Sequence, residues 1–230
     1  MISVLIPCYN EKNTISEIVD RILKVKEIDI EIIIIDDNSK DGTKDIIENN
    51  LASKVSKVIY NQVNEGKGYC IKKGIKEATG DIILIQDADL EYDPKEYKKL
   101  IKPILDGHAD VVYGSRFIGG DERRILFFWH TIANKLLTLL SNMFTNLNLT
   151  DMETCYKVFK KDIIKNIDLK EKRFGFDPEI TAKMAKMKPK IFEVGISYFG
   201  RTYEQGKKIG LKDAFVVLKC IIKYNLFRSL

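Results

Sequence analysis

Three carboxylates stand at alternate positions in the run Gln86-Asp87-Ala88-Asp89-Leu90-Glu91. Alternate residues of an extended chain point the same way, so Asp87, Asp89 and Glu91 are expected to face one spot. Crowded carboxylates repel one another unless a cation sits among them, and hard oxygen ligands select Mg²⁺ or Mn²⁺. Such an ion would bridge two phosphates of a nucleoside diphosphate and neutralise charge developing on a leaving group. A solvated acidic loop that caps a helix at Pro94 accounts for Glu91 and Asp93. It does not account for Asp87, which directly follows an apolar run.

Other polar clusters accompany this one. Pro7-Cys8-Tyr9-Asn10-Glu11 follows one apolar run, and Asp36-Asp37-Asn38-Ser39 follows another. Asp37 is placed there to accept hydrogen bonds from a base or ribose. Gly66-Lys67-Gly68 opens a helical pattern, where backbone N–H groups and Lys67 are candidates to hold phosphate. It is neither a P-loop, since no Ser or Thr follows the lysine, nor a dinucleotide fingerprint, since Ile71 replaces the third glycine. Arg116 follows Gly114-Ser115, and Arg201 and Lys207 lie in a loop from Gly200 to Gly210 with three cationic residues. Alone that loop is an ordinary surface segment. Beside the carboxylates it reads as a clamp for a phosphorylated acceptor or a departing diphosphate.

The elements that must position these groups follow a simple rhythm. Short β-branched runs (Ser3 to Ile6, Glu31 to Ile35, Lys57 to Tyr60, Ile82 to Ile85 and Asp110 to Tyr113) alternate with helical patterns. Runs apolar on both faces fit a mostly parallel sheet with helices on both sides, an α/β fold of βαβαβαβ order. The first helix carries a capping-box pattern, Thr14 with Glu17, and an apolar stripe of Ile15, Ile18, Val19, Ile22 and Leu23. Further helices follow Asp41-Gly42-Thr43 and Gly66-Lys67-Gly68, and a fourth starts at Pro94. Ligands of open parallel sheets bind beyond the carboxyl ends of the strands, where the polar clusters fall. The rhythm stops near Gly114. A long helical pattern then runs from Ile125 to Leu149, with Ile125, Phe128, Trp129, Ile132, Leu136, Leu139, Leu140, Met143 and Leu147 on one side. His130, Asn134, Thr138, Ser141 and Asn142 lie opposite, and Lys135 is its only charge. Three uses of that stripe stay open: core packing, contact with a second copy, or contact with a membrane whose lipid phosphates meet Arg123 and Arg124. A strand-like run from Ile191 to Phe199 and a final helix from Leu211 complete the chain.

Composition narrows the setting. With 230 residues and 45% hydrophobic side chains, the chain can bury a core. A net charge of +5 suits anionic substrates or an acidic membrane surface without calling for nucleic acid. Cys8, Cys70, Cys155 and Cys220 lack zinc or redox spacing and are expected to be reduced thiols. A strand begins at Ile2, so no signal peptide is expected, and no apolar run reaches the roughly 18 residues of a membrane span. A cytoplasmic protein, soluble or peripheral at the membrane, is expected.

Taken in order, these motifs resemble the family 2 glycosyltransferases of GT-A fold, and among them the dolichol-phosphate mannose synthase-like, polyprenyl-phosphate branch. The pieces are Ile6 to Glu11, Asp36-Asp37-Asn38-Ser39 with Asp41-Gly42-Thr43, Gly80-Asp81, Asp87-Ala88-Asp89-Leu90, Gly114-Ser115-Arg116, and Arg201 with Lys207. The resemblance implies a nucleotide pocket of Pro7, Tyr9, Glu11, Ile35 and Asp37, with Lys67, Asp87 and Ala88 beside it. It implies metal ligands Asp87, Asp89 and Glu91, phosphate contacts from Arg116, Arg201 and Lys207, and an acceptor-side Asp151. Asp89, Arg116 and Asp151 would then carry the reaction. A catalytic domain over residues 1–210, divided near residue 116 into nucleotide and acceptor halves, would precede a C-terminal amphipathic helix, 211–230. The implied activity is metal-dependent inverting transfer of a hexose from a nucleotide diphosphate-sugar, of GDP-mannose or UDP-glucose type, to a polyprenyl or dolichyl phosphate, for cell-envelope glycan or glycoconjugate synthesis. Thr154-Cys155-Tyr156 departs from the branch's Ser-Gly-Phe, and Arg173 to Glu179 is more acidic than its counterpart, which leaves sugar and acceptor open. A sugar-hydroxyl acceptor would need a base, with Asp151 or Glu153 as candidates. Nucleotidyltransferases instead open on a glycine- and arginine-rich loop, and a non-catalytic scaffold would be expected to have lost Asp87 or Asp89.

Overall fold

The computed structural model describes residues 1–119, 122–207 and 210–227. Lys208 of the cationic loop and residues 228–230 of the final helix expectation lie outside them.

Seven strands form one sheet: β1 (Ile2–Cys8), β2 (Ile30–Asp36), β3 (Lys57–Tyr60), β4 (Ile82–Ile85), β5 (Val111–Ser115), β6 (Lys157–Lys160) and β7 (Ile191–Gly195). Their order is β3-β2-β1-β4-β6-β5-β7. β6 runs antiparallel to β4 and β5, and the other pairings are parallel. The central strands are buried on both faces, as their near-continuous Val, Ile and Leu content requires. The sheet therefore continues past Gly114. β6 has two apolar residues between lysines and is not among the apolar runs noted above.

The helices are α1 (Ile15–Leu23), α2 (Thr43–Ile46, continued by a π-helical turn Ile47–Leu51), α3 (Lys67–Glu77), α4 (Tyr97–Leu105, entered through a 3₁₀ turn Pro94–Glu96), α5 (Phe128–Thr145), α6 (Lys161–Lys165), α7 (Phe176–Met187) and α8 (Leu211–Leu226). In α1, Ile15, Ile18, Val19 and Ile22 face the core as their spacing predicts. Leu23 is 49% exposed. The Thr14–Glu17 capping box does not form. Thr14 donates its hydroxyl to Glu11 Oε2 at 2.9 Å, and Glu17 pairs with Arg21 one turn on.

α5 departs furthest from expectation. It is shorter than the pattern, ending at Asn146 in the left-handed region (φ 55°), and most of its apolar stripe faces away from the protein, Leu140 and Leu147 excepted. Trp129 is 75% and Met143 71% exposed, whereas Thr138 is 3% and Ser141 1% exposed. The small polar residues face inward because the backbone beneath needs partners. Thr138 Oγ1 accepts from Met152 N (3.2 Å), and Asn142 exchanges hydrogen bonds with the N–H and C=O of Leu149 (3.1 and 2.7 Å). Leu137 and Leu140 fill the remaining space against Met152 of the loop and Val217 and Ile221 of α8. Core packing of the whole stripe is thereby overturned. All four cysteines are buried free thiols, and no helix among the described residues is long and apolar enough to cross a membrane.

Candidate functional site

The loops after β1, β2 and β4 meet at one edge of the sheet. The first two are tied to each other. Asn10 N donates to Ser39 Oγ (2.9 Å), Lys40 N to Asn10 Oδ1 (2.8 Å) and Glu11 N to Thr43 Oγ1 (2.9 Å). Asn10 and Asn38 both adopt positive φ (52° and 61°), a conformation asparagine tolerates best among non-glycine residues. Among the nucleotide-side candidates, Tyr9 is exposed just beyond β1 and Pro7 is half-buried. Ala88 and Ile35 are buried, and Ile35 lies inside the core, with its Cδ1 against Gly74 of α3. It backs this edge from within and presents no surface to a ligand.

Asp37 is buried and already well supplied with donors. Its carboxylate accepts from Asn61 Nδ2 (2.7 Å), Glu65 N (2.9 Å) and Gly66 N (2.7 Å). It thus shapes the turn into α3. Gly66 has φ 100°, and a Cβ there would lie 2.4 Å from Lys172 O, so only glycine fits. Its neighbour Asp36 is equally buried, yet its Oδ1 finds no hydrogen-bond partner among the described residues. The residue pattern pointed to Asp37. Asp36 is the acid that retains an open oxygen, and no signal in the sequence separates the two.

The acidic triplet does not face one spot. The chain turns at Ala88-Asp89, with Leu90 at φ 64° and Glu91 N bonded to Asp89 Oδ1 (3.1 Å). An Asx-type turn breaks the alternation that an extended chain would keep. Asp87 turns to Lys67, 2.6 Å away. Burial alone would raise its carboxyl, but Lys67 outweighs burial and holds it below the usual range. Asp89 faces Arg201 Nη2 at 2.8 Å. Its carboxyl is pushed up to about 7 by burial, with Asp87 and Glu91 adding to the effect. Both oxygens of Glu91 are engaged, one by the Tyr198 hydroxyl (2.7 Å), the other by Arg201 N (2.9 Å) and Nε (3.3 Å). Among the described residues no three acids, cysteines or histidines are arranged to hold an ion. The oxygens of Glu11, Asp89 and Glu91 nevertheless surround one cation, the Arg201 guanidinium.

On the acceptor side, Arg116 and Asp151 come together. The fully buried Asp151 carboxylate receives Arg116 Nε (2.6 Å), Nη2 (2.7 Å) and backbone N (3.0 Å). The guanidinium lies 5.2 Å from the Tyr198 ring centre, so it is held from two directions. Both Asp151 carboxylate oxygens are thus engaged by this fork. The Glu153 carboxyl is pushed up to about 8 by burial, with Asp177 adding to the effect, and its Oε1 has no hydrogen-bond partner among the described residues. Lys207 stands apart, its Nζ 5.5 Å from the Phe127 ring centre, and burial lowers its amine pKa, with Arg116 and Arg201 pushing the same way.

Tyr198 joins both halves, bonding Glu91 and lying over Arg116, and an aromatic in a strand-like run reads as core. Asn61 was legible, since it ends β3 at the same edge.

Comparison with known proteins agrees with this geometry. Residues 3–168 match the sequence profile of Glycosyl transferase family 2. The chain is 28% identical over 213 residues to dolichol-phosphate mannosyltransferase of Pyrococcus furiosus, a match covering 90% of this chain and 60% of that protein. It thus spans less than two thirds of that relative's length. To undecaprenyl-phosphate mannosyltransferase of Micrococcus luteus it is 27% identical over 217 residues, covering 90% and 86%. Its fold is that of glucosyl-3-phosphoglycerate synthase from Mycobacterium tuberculosis, crystallised with Mn²⁺, UDP and glucosyl-3-phosphoglycerate (TM-score 0.77, 18% identity, 100% of this chain and 81% of that one). The sheet is a GT-A fold, the nucleotidyltransferase alternative falls away, and the chain belongs to glycosyl transferase family 2.

Proposed function

We propose that the chain transfers a hexose from a nucleotide diphosphate-sugar to the phosphate of a polyprenyl lipid, with inversion at the anomeric carbon. The observation that carries this is the meeting of Lys67 and Arg201 with the half-buried Asp87 and Asp89, and of Arg116 with the buried Asp151, at one sheet edge. Lys67 and Arg201 flank the carboxylates and are available to a donor diphosphate. Arg116, fixed by Asp151 and Tyr198, is a preorganised cation for an acceptor phosphate. An ionised phosphate needs no base, so positioning and charge neutralisation suffice. Asp36 and Asp37, at the end of β2, would meet the base or ribose.

A bound Mg²⁺ or Mn²⁺ would neutralise charge on the leaving diphosphate. Asp89 and Glu91, whose hard oxygens already share one cation, would hold it, joined by Asp87 once its carboxylate leaves Lys67. The relatives are named for lipid-phosphate acceptors, which supports the lipid assignment and a peripheral membrane setting. The outward stripe of α5 would meet the bilayer, with Arg123 and Arg124 beside it.

One observation favours a second acceptor. The raised Glu153 carboxyl suits a base for a sugar hydroxyl. A panel of labelled nucleotide-sugars, offered with and without polyprenyl phosphate, separates the two. Label entering the lipid phase is expected. Label entering only soluble sugars would reject the lipid acceptor.

A further inference from the structure

The Arg201 guanidinium sits on two of the three carboxylates that would hold a divalent ion, Asp89 and Glu91, and on Glu11 beside them. Its Nη2 lies 2.8 Å from Asp89 Oδ2, its Nη1 3.2 Å from Glu11 Oε2, and its Nε 3.3 Å from Glu91 Oε1. A guanidinium and a divalent ion cannot share these oxygens, because an ion needs them at roughly 2.0–2.6 Å with no other cation between. The backbone carrying Arg201 is anchored independently of its side chain. Phe199 N bonds the backbone Glu91 O at 2.9 Å, a contact that an ion on the carboxylates would not disturb. Residues 202–207 close a hydrogen-bonded turn of their own. The guanidinium can therefore leave by side-chain rotation while the loop stays in place.

We propose that Arg201 is a resident counter-cation which an incoming divalent ion must displace, and that the displaced guanidinium is then captured by the donor diphosphate. This rests on the ion-assisted reading given above. Without an ion, Arg201 neutralises acids that would otherwise repel one another in a half-buried site. With an ion alone, the guanidinium loses Asp89 and Glu91 and gains only water. With ion and diphosphate together, its planar fork regains oxygen partners on phosphate. Ion and diphosphate then load cooperatively through this side chain, and linkage makes the coupling reciprocal.

The test is Mn²⁺ binding, read by the electron paramagnetic resonance signal of free Mn²⁺, which does not depend on turnover. Arg201→Gln is expected to bind Mn²⁺ alone about tenfold more tightly than the native protein. With saturating GDP or UDP the order reverses, and the variant binds Mn²⁺ more weakly. Lys207→Gln removes the same charge from a side chain that bonds none of these acids, and should shift Mn²⁺ affinity little. Arg201→Lys keeps the charge without the fork and falls between, which guards against a folding failure of the glutamine variant. Equal or weaker binding of Mn²⁺ alone to Arg201→Gln, or an equal gain in Lys207→Gln, overturns the displacement. If the native protein takes up no Mn²⁺ even with GDP and UDP, the ion-assisted reading itself fails, and this inference with it.

Discussion

Around β1, β2 and β4 the molecule keeps apolar side chains inside and charges at the sheet edge, and around α5, α7 and α8 it does much of the reverse. In the first region the strand interiors are fully buried and the acids line the sheet edge, Asp87 and Asp89 half-buried and Glu11, Asp36, Asp37 and Glu91 buried. In the second, Lys157 is buried against Asp177 and Thr154 O, and Glu179 accepts from Lys170 N, Glu171 N and Lys183 Nζ, each at 2.8 Å. Phe128, Trp129, Leu136, Phe215 and Phe227 meanwhile face outward. Buried ion pairs are a weak source of stability, because desolvation offsets most of their attraction. An apolar surface of this extent marks a contact face. The first region gathers its charges at one edge, and the second gives up part of its core to an outer surface.

The sharpest way to break this comparison is to remove one charge from the edge. Asp89→Asn should lower transfer by about 10³-fold or more, the scale of losing a group that stabilises transition-state charge. It should leave the melting temperature unchanged or higher, since the native carboxyl, pushed up to about 7 by burial, gains little from ionising. EDTA should abolish transfer likewise. If Asp89→Asn unfolds the protein, the edge acids are structural after all.

Next in size is the contrast between the two stripes. Ile18→Ala in α1 should cost about 2–5 kcal/mol in denaturant unfolding, the usual result of opening a core cavity. Leu136→Ala on the outward face of α5 should cost no more than about 0.5 kcal/mol. Equal losses would mean that α5 packs by its apolar stripe.

The two regions were unequally legible. The strands Lys57–Tyr60 and Ile82–Ile85 coincide with their apolar runs, and the ligand edge follows from the parallel topology. β6 was hidden because Lys157 is a buried lysine, and α7 because Asp177, Glu179 and Lys183 look like solvent-facing residues. The stripe of α5 was visible, but periodicity shows only that a helix has two unlike faces, not which one turns inward. At the edge itself, alternation misled because Leu90 takes a left-handed conformation that sequence spacing does not reveal.

A smaller effect tests the buried charges of the second region through pH. Glu153 sits near 8 when folded, against an ordinary value of 4.5. A carboxyl raised on folding contributes stability in full below its unfolded value, and that contribution is lost as pH rises through the folded one. The native protein should therefore lose stability relative to Glu153→Gln between pH 5 and 8. A stability difference that is the same at both ends of that range means Glu153 is already ionised in its cluster.

The smallest expected effect concerns what the outward face touches. Arg123 and Arg124 are exposed in the segment that leads into α5, and α5 itself carries no acidic residue. Each arginine near an anionic bilayer contributes about 1 kcal/mol, so Arg123→Gln with Arg124→Gln should weaken flotation with anionic liposomes by roughly 30-fold. Trp129→Ser on the stripe should weaken flotation on neutral and anionic vesicles alike, because it removes apolar contact and no charge. A face that instead joins two copies predicts a different pair of results: a dimer by light scattering that Trp129→Ser dissociates, and no flotation on either vesicle. The native protein floating as a monomer, with the arginine variants losing affinity only on anionic vesicles, would identify the second region as the membrane-facing side of the enzyme.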